Sequence, residues 1–411
     1  MRRLPQCLRT LQGRAMTAKP PRAVLLDAAP AGQDRYGRNH PLAIPRVSLT
    51  VDLIRALGAL GPDEYRVPAA ASREELAVFH DRDYLAALER VQAAGRASAG
   101  ERERHRIGTL ENPVFPGFFH KASAAARGSI LGARAVLEGR VAFNPAGGMH
   151  HAAPGAARGF CFLNDPVLAI LTLHRAGLRV LYLDIDAHHG DGVEAALCRD
   201  RGTWTCSLHM DTGYAYPFRG GGIGDTGPLG HTVNLPLPQG VNDAEYRHAF
   251  GRLWPVVLER ARPDAVVLQA GTDILAPDPL GRFRVSNRAF LAVVARVMVD
   301  APRLLVLGGG GYHPLALARC WLGVWGVLSG RELPDLLPST GRALLEAVDW
   351  DLMDEEELQR ARQLERRLDE AEPGGVGDEV RARVDRLLTS HPGLRRVRWC
   401  GATGDGYSCE P

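Results

Sequence analysis

Arg179-Val-Leu-Tyr-Leu-Asp184-Ile-Asp186-Ala-His188-His189-Gly-Asp191 decides how this chain is read, because an apolar run of strand length flows directly into three carboxylates and two imidazoles. The apolar part has the composition of a buried strand. The polar part therefore sits at a strand's carboxyl end, where open α/β sheets build their ligand sites. Asp186 and His188, two apart on an extended backbone, point to the same side and can share one metal ion. Acids and histidines also collect in solvated loops and at helix N-termini. Here they interrupt a core-type strand with glycines among them, which favours a site.

Outward from this stretch, Ala23-Val-Leu-Leu, Arg140-Val-Ala-Phe, Thr205-Cys-Ser-Leu, Ala265-Val-Val-Leu and Leu304-Leu-Val-Leu are further short apolar runs. Between several of them lie stretches with helical spacing, at Ser123 to Glu138, Val167 to Ala176 and Asp243 to Arg262. Strands alternating with helices predict an α/β sandwich of three layers, with a mostly parallel sheet covered on both faces. Buried strands stop near Asp349, so residues 23–350 are expected to form the catalytic domain. Residues 1–22, rich in arginine and without an acid, read as a disordered extension, with Met16 as an alternative start. Residues 351–411 read as a charged extension, with a helix at Asp354 to Glu370 and a loose tail after Pro392.

The chain has 411 residues, 45% of them hydrophobic and 24% charged, and no apolar run reaches the length of a membrane span. Lys+Arg 50 against Asp+Glu 47 leaves +3, without a basic block of the kind that marks a nucleic-acid surface. Nearly all the basic residues are arginine, Lys19 and Lys121 being the only lysines, a bias that suggests a GC-rich bacterial genome. Seven scattered cysteines, none in a C-x-x-C pair, argue against a disulfide framework and fit a reducing cytosol.

Four strand ends carry unusual polar groups: Gly147-Gly-Met-His150-His151, the opening cluster, Gln269-Ala-Gly-Thr-Asp273, and Gly308-Gly-Gly-Gly-Tyr312-His313. A parallel sheet gathers its carboxyl ends at one rim, so these groups can converge. Singly, Asp273 reads equally as a helix cap, His150 and His151 as satisfied core histidines, and Tyr312 as a packed aromatic. The glycine run lacks the spacing of a phosphate cradle, which leaves close backbone approach as its reason.

With these motifs, and with His40-Pro-Leu to Arg46, Glu111-Asn-Pro, Gly159-Phe-Cys-Phe-Leu-Asn-Asp165 and Asp278-Pro-Leu, the chain resembles the zinc-dependent histone deacetylases. Their bacterial relatives include acetoin-utilisation-type and acetylpolyamine amidohydrolases. The resemblance runs from about Tyr36 to about Glu332 and implies the fold of the arginase-deacetylase superfamily, with a narrow tube leading to a metal.

By motif position it implies Asp186, His188 and Asp273 as metal ligands, His151 oriented by Asp191 as base and acid, His150 paired with Asp184, and Tyr312 as oxyanion donor. Zinc is the expected metal, with Fe(II) or Co(II) able to occupy the same donors. A structural potassium ion is implied at Asp184 and Ser207. Gly159, Phe160 and Tyr216 match the tube walls, and Glu111 stands where many members place an Asp that grips the substrate backbone. Leu280 replaces the Glu of polyamine-specific relatives. The implied activity removes an acetyl or acyl group from a lysine side chain or a small amine, with no nucleic acid or membrane as partner. An arginase-type ureohydrolase fits less well, because Ile274 and Leu275 follow Asp273 and leave no second carboxylate there. An inactive metal-binding homologue is the remaining alternative.

Overall fold

In a computed structural model of the chain, the described residues are 22–28, 36–37, 40–350 and 364–395. Eight strands form one sheet: β1 (Ala23–Leu26), β2 (Tyr65–Arg66), β3 (Val141–Asn144), β4 (Val180–Asp184), β5 (Thr203–Met210), β6 (Thr232–Leu237), β7 (Ala265–Gln269) and β8 (Leu304–Leu307). Their order is β2-β1-β3-β8-β7-β4-β5-β6, and every pairing is parallel.

A parallel sheet must be covered on both faces, and the strands' alternating side chains divide between two cores accordingly. Leu181, Leu183, Val266, Leu268, Leu304 and Val306 face one way, against the helices Arg46–Ala56, Asp243–Ala261, Asn287–Asp300 and Pro314–Ser329. Val180, Tyr182, Ala265, Val267, Leu305 and Leu307 face the other way, against Phe118–Leu137, Asp165–Arg175 and Asp191–Leu197. Trp321 is fully buried on the first face and its indole donates to the Ala270 carbonyl at 3.0 Å, which ties a helix to the chain just beyond β7. This is the expected three-layer sandwich.

The four polar strand ends belong to β3, β8, β7 and β4, which are consecutive in the sheet. Between β3 and β4 the chain leaves one half of the sheet and enters the other, so the crevice opens at their carboxyl ends. Distant sequence segments thus meet at one rim.

Two strands escaped the sequence reading. β2 is only two residues long, and β6 contains Pro236, tolerated because β6 is an edge strand. The C-terminal region differs from expectation as well. Residues 354–363 of the expected helix lie outside the described residues, as do residues 1–21 and 396–411. A helix over Asp378–Ser390 buries Val380, Val384 and Leu387 in the main core, and Leu394 joins them. The stretch just after Pro392 is therefore packed where a loose tail was expected. Arg383 reaches the Pro236 carbonyl at 3.0 Å and the Asp211 carboxylate at 2.8 Å, and His391 meets the Thr232 carbonyl at 2.7 Å. The segment covers the β6 edge, which would otherwise expose unpaired backbone.

Candidate active site

β4 ends at Asp184, and the chain past it is irregular until the helix Asp191–Leu197 begins. Within that turn Asp186 is fully buried and its Oδ1 accepts the His188 backbone N–H at 2.9 Å. Asp273, beyond β7, is fully buried too and accepts the Ala187 N–H at 2.8 Å, so β7 and β4 lock each other's loops. The His188 Nδ1 lies 2.8 Å from Asp273 and 3.2 Å from Asp186. The three residues form the cluster of potential metal donors found among the described residues, their ligand atoms all within 4.8 Å of one another.

Two buried carboxylates converging on one imidazole nitrogen form a donor set whose charge calls for a cation at its centre. The surrounding backbone is built to that shape. A Cβ on Gly271 would stand 2.0 Å from the Asp186 carboxylate, and one on Gly310 1.9 Å from that of Asp273. The Gly310 N–H donates to Asp186 at 2.6 Å. Close approach, not phosphate binding, accounts for the glycine run, and the residues present fit a divalent metal.

Beside this cluster two imidazole–carboxylate pairs stand in contact. His150 Nδ1 is 2.9 Å from Asp184 and His151 Nδ1 is 2.8 Å from Asp191. With each Nδ1 on a carboxylate, the two Nε2 atoms meet at 3.0 Å, a contact that requires one proton between them. Burial pulls the His150 imidazolium down, but Asp184 and then Asp186 outweigh it and carry the group up to about 9. Burial, and then the neighbouring His150, push His151 down to about 3, against the hydrogen bond to Asp191. The arrangement is a charged His150 next to a neutral His151.

Tyr312 completes the floor. Its ring centroid lies 6.4 Å from that of His188, and burial together with Asp273 and Asp186 holds the phenol well above its ordinary range, fixing it as a donor. The Tyr312 backbone N–H donates to Asp278 at 2.7 Å.

The walls come from two loops. Phe160 stands edge-on to Tyr312 at 6.1 Å and Tyr216 edge-on to His151 at 4.7 Å, so the two rings flank the reacting groups. Gly159 sits at φ 51, where a Cβ would fall 2.4 Å from the His151 ring, which explains why only glycine serves there. Glu111 is at the mouth, but its carboxylate is engaged: it accepts the Gly159 N–H at 2.5 Å, lies 3.8 Å from Arg106, and with burial raises the Tyr216 phenol well above its usual range. Leu280 is 38% exposed and brings no charge. Apart from Leu280, each residue expected from the sequence therefore touches another member of one group.

Several supporting residues carried no assigned role in the sequence. Asp165 accepts the Gly148 and Met149 N–H groups at 2.9 and 2.8 Å and holds the loop before His150. Gln269 donates to the Gly148 carbonyl at 2.7 Å, and Arg46 donates to the Gly309 carbonyl. Asp165 and Arg46 do lie inside the motifs that carried the resemblance, which was the available signal.

An open parallel α/β sheet with a buried aspartate–histidine–aspartate centre, two histidine–aspartate pairs and a facing tyrosine defines an arginase/deacetylase-type fold and site. The histone deacetylase domain family matches residues 40–328, and the chain belongs to that family. It is 38% identical to histone deacetylase 1 of rice over 326 residues, which are 75% of this chain and 60% of that protein. The chain thus spans about 60% of the length of such curated relatives. Among solved structures, an HDAC homologue from Aquifex aeolicus superposes with a TM-score of 0.85 at 38% identity, covering 89% of this chain and 99% of that one. An HDAC homologue complexed with SAHA gives 0.85 at 37% identity, with the same coverage. Among the described residues no helix is long and apolar enough to cross a membrane.

Proposed function

We propose that this protein is a metal-dependent deacylase that hydrolyses the amide between an acetyl or acyl group and a lysine-like amine. The observation that carries the reading is the convergence, on one cleft, of the Asp186–His188–Asp273 centre, the His151–Asp191 pair and the Tyr312 phenol. Asp186, His188 and Asp273 would hold the metal. A divalent ion bound there acidifies water and polarises the amide carbonyl.

The chain's own residues do the rest. Neutral His151, its ring fixed by Asp191, takes the proton from the attacking water. The departing amine takes a proton back from the same histidine pair, and the second water proton follows to it from the new carboxyl group, so water and amide become a carboxylate and an ammonium. Charged His150 favours the negative charge that builds nearby, and Asp184 keeps it in place. Tyr312 donates its hydroxyl to the developing oxyanion, a contribution worth roughly 3 kcal/mol. Phe160 and Tyr216 line an apolar passage for the methylene stem, and Gly159 lets it pass close to the backbone.

Zinc is the metal we assign, with Fe(II) or Co(II) compatible with the same donors. A potassium site at Asp184 and Ser207 is supported by the register of β4 and β5, which places the two residues side by side. Acetylated lysine is the substrate we favour. Acetylated small amines are a second reading, favoured by the engagement of Glu111 within the wall, which leaves it poorly placed to grip a peptide backbone. Free thiols at Cys161, Cys198, Cys206 and Cys320 support a cytosolic setting, and the arginine-rich composition supports a bacterial source.

The test is turnover by metal-reconstituted protein of acetyl-lysine peptides, acetylpolyamines and longer acyl-lysines, wild type beside Tyr312→Phe. Turnover of acetyl-lysine that collapses in the variant supports the reading. Equal turnover in both removes it.

A further inference from the structure

Glu111 and Tyr216, which stand beside the reacting groups on one side, also line a pocket of about 470 Å³. Its charged lining is four arginines, Arg104, Arg106, Arg158 and Arg219, against two glutamates, Glu103 and Glu111. These arginines are not equivalent. Arg104 is tied to Asp83, and Arg106 stands 3.8 Å from Glu111, which offsets that carboxylate. Arg158 and Arg219 have no acidic partner within ion-pair distance among the described residues, in a chain where most arginines of the core domain are paired or hydrogen-bonded.

Both are carried on fixed backbone. Arg158 opens the turn that presents Gly159 and Phe160, and it exchanges two backbone hydrogen bonds with Cys161, at 3.0 and 2.8 Å. Arg219 follows the Tyr216 loop, which is closed by Phe218 N–H to the Ala215 carbonyl at 2.8 Å and by Thr212 Oγ1 to the Gly220 carbonyl at 2.6 Å. One cation thus rides on each of the two loops that form the aromatic walls.

We propose that this mouth selects acylated amines bearing a carboxylate, which Arg158 and Arg219 receive as the acyl end enters the tube. The inference rests on the deacylase reading and extends it to a substrate class. A lysine-like stem of four methylenes buried in the tube brings the α-carbon and its substituents out at the rim. A free α-carboxylate, or an acidic side chain next to the modified lysine in a peptide, then meets the arginines. Guanidinium forks match carboxylates in a two-point geometry, and two of them facing one mouth favour an anion over a neutral group.

The experiment uses the full metal-loaded chain and two matched pairs of probes. One pair is Nε-acetyl-lysine with a free α-carboxylate and its α-carboxamide. The other is an acetyl-lysine peptide flanked by Asp and Glu and the same peptide flanked by Asn and Gln. The expected result is a kcat/KM about tenfold higher for the carboxylate member of at least one pair, eroded by added salt. The pair that responds identifies the source of the carboxylate. In Arg158→Gln and Arg219→Gln the ratio falls toward one, and Arg158→Glu reverses it, a change of preference that general loss of folding does not produce. Equal turnover of charged and neutral members by wild type overturns the inference and leaves the deacylase reading standing. No turnover of any probe overturns both.

Discussion

The floor of the cleft and its mouth are built on opposite principles. At the floor, Asp186 and Asp273 are fully buried and braced by backbone N–H groups from His188, Gly310 and Ala187. At the mouth, Glu111 is half-buried, and its contacts are one N–H, one phenol and one arginine. The floor is held by the ends of four adjacent strands, whereas the mouth is held by loops. The contrast teaches that a buried floor braced by backbone is suited to fixing chemistry, whereas a mouth made of loops is suited to setting selectivity. Changes at the floor should act on the chemical step, and changes at the mouth on which substrate is used.

The largest effect is expected at the floor. Asp273→Ala removes a ligand and leaves the Ala187 N–H without its acceptor, so kcat/KM should fall about a thousandfold or more together with bound metal. Activity measured beside metal content checks this, and retained metal with retained activity would break the contrast. Tyr312→Phe keeps the ring and loses the donor, so kcat should drop about a hundredfold or more with KM little changed. Asp191→Asn leaves His151 a weaker orienting partner, with an expected loss of roughly tenfold to a hundredfold in kcat.

At the mouth the effects shrink. Glu111→Gln keeps an acceptor for the Gly159 N–H at reduced strength, so kcat/KM should fall only about fivefold, chiefly through KM. A loss as large as that of Tyr312→Phe would mean that the mouth takes part in the chemistry. Furthest from the cleft, Leu387→Ala opens a hole where the C-terminal helix meets the core and should cost roughly 2–5 kcal/mol of stability. Thermal melting reads this, while turnover per folded molecule stays at the wild-type value.

The floor was legible in the sequence and the mouth only in outline, for physical reasons. β4, β7 and β8 are continuous apolar runs because both their faces are buried, so the acids and histidines at their ends stand out against them. β6 was hidden because an edge strand tolerates Asn234 and Pro236, which break the apolar pattern. The helix over Asp378–Ser390 was hidden because three buried aliphatic residues suffice to dock it while the rest of its surface is charged. Asp165 and Asp278 carry no periodic mark either, since a carboxylate that pins a loop looks the same in sequence as one that faces water. Glu111 could be placed at the rim by its motif, but its engagement with Gly159 and Arg106 depends on loop geometry.

Everything at the floor depends on one divalent cation held by Asp186, His188 and Asp273. A crystal structure of the zinc-loaded protein, with anomalous data collected at the metal edge, tests it most directly. The expected result is a single peak about 2.0–2.2 Å from the His188 Nδ1 and from an oxygen of each aspartate, at one equivalent per chain. A zinc peak elsewhere, a second zinc ion in the cleft, or a crystal of metal-saturated protein with no density between the three side chains would contradict it.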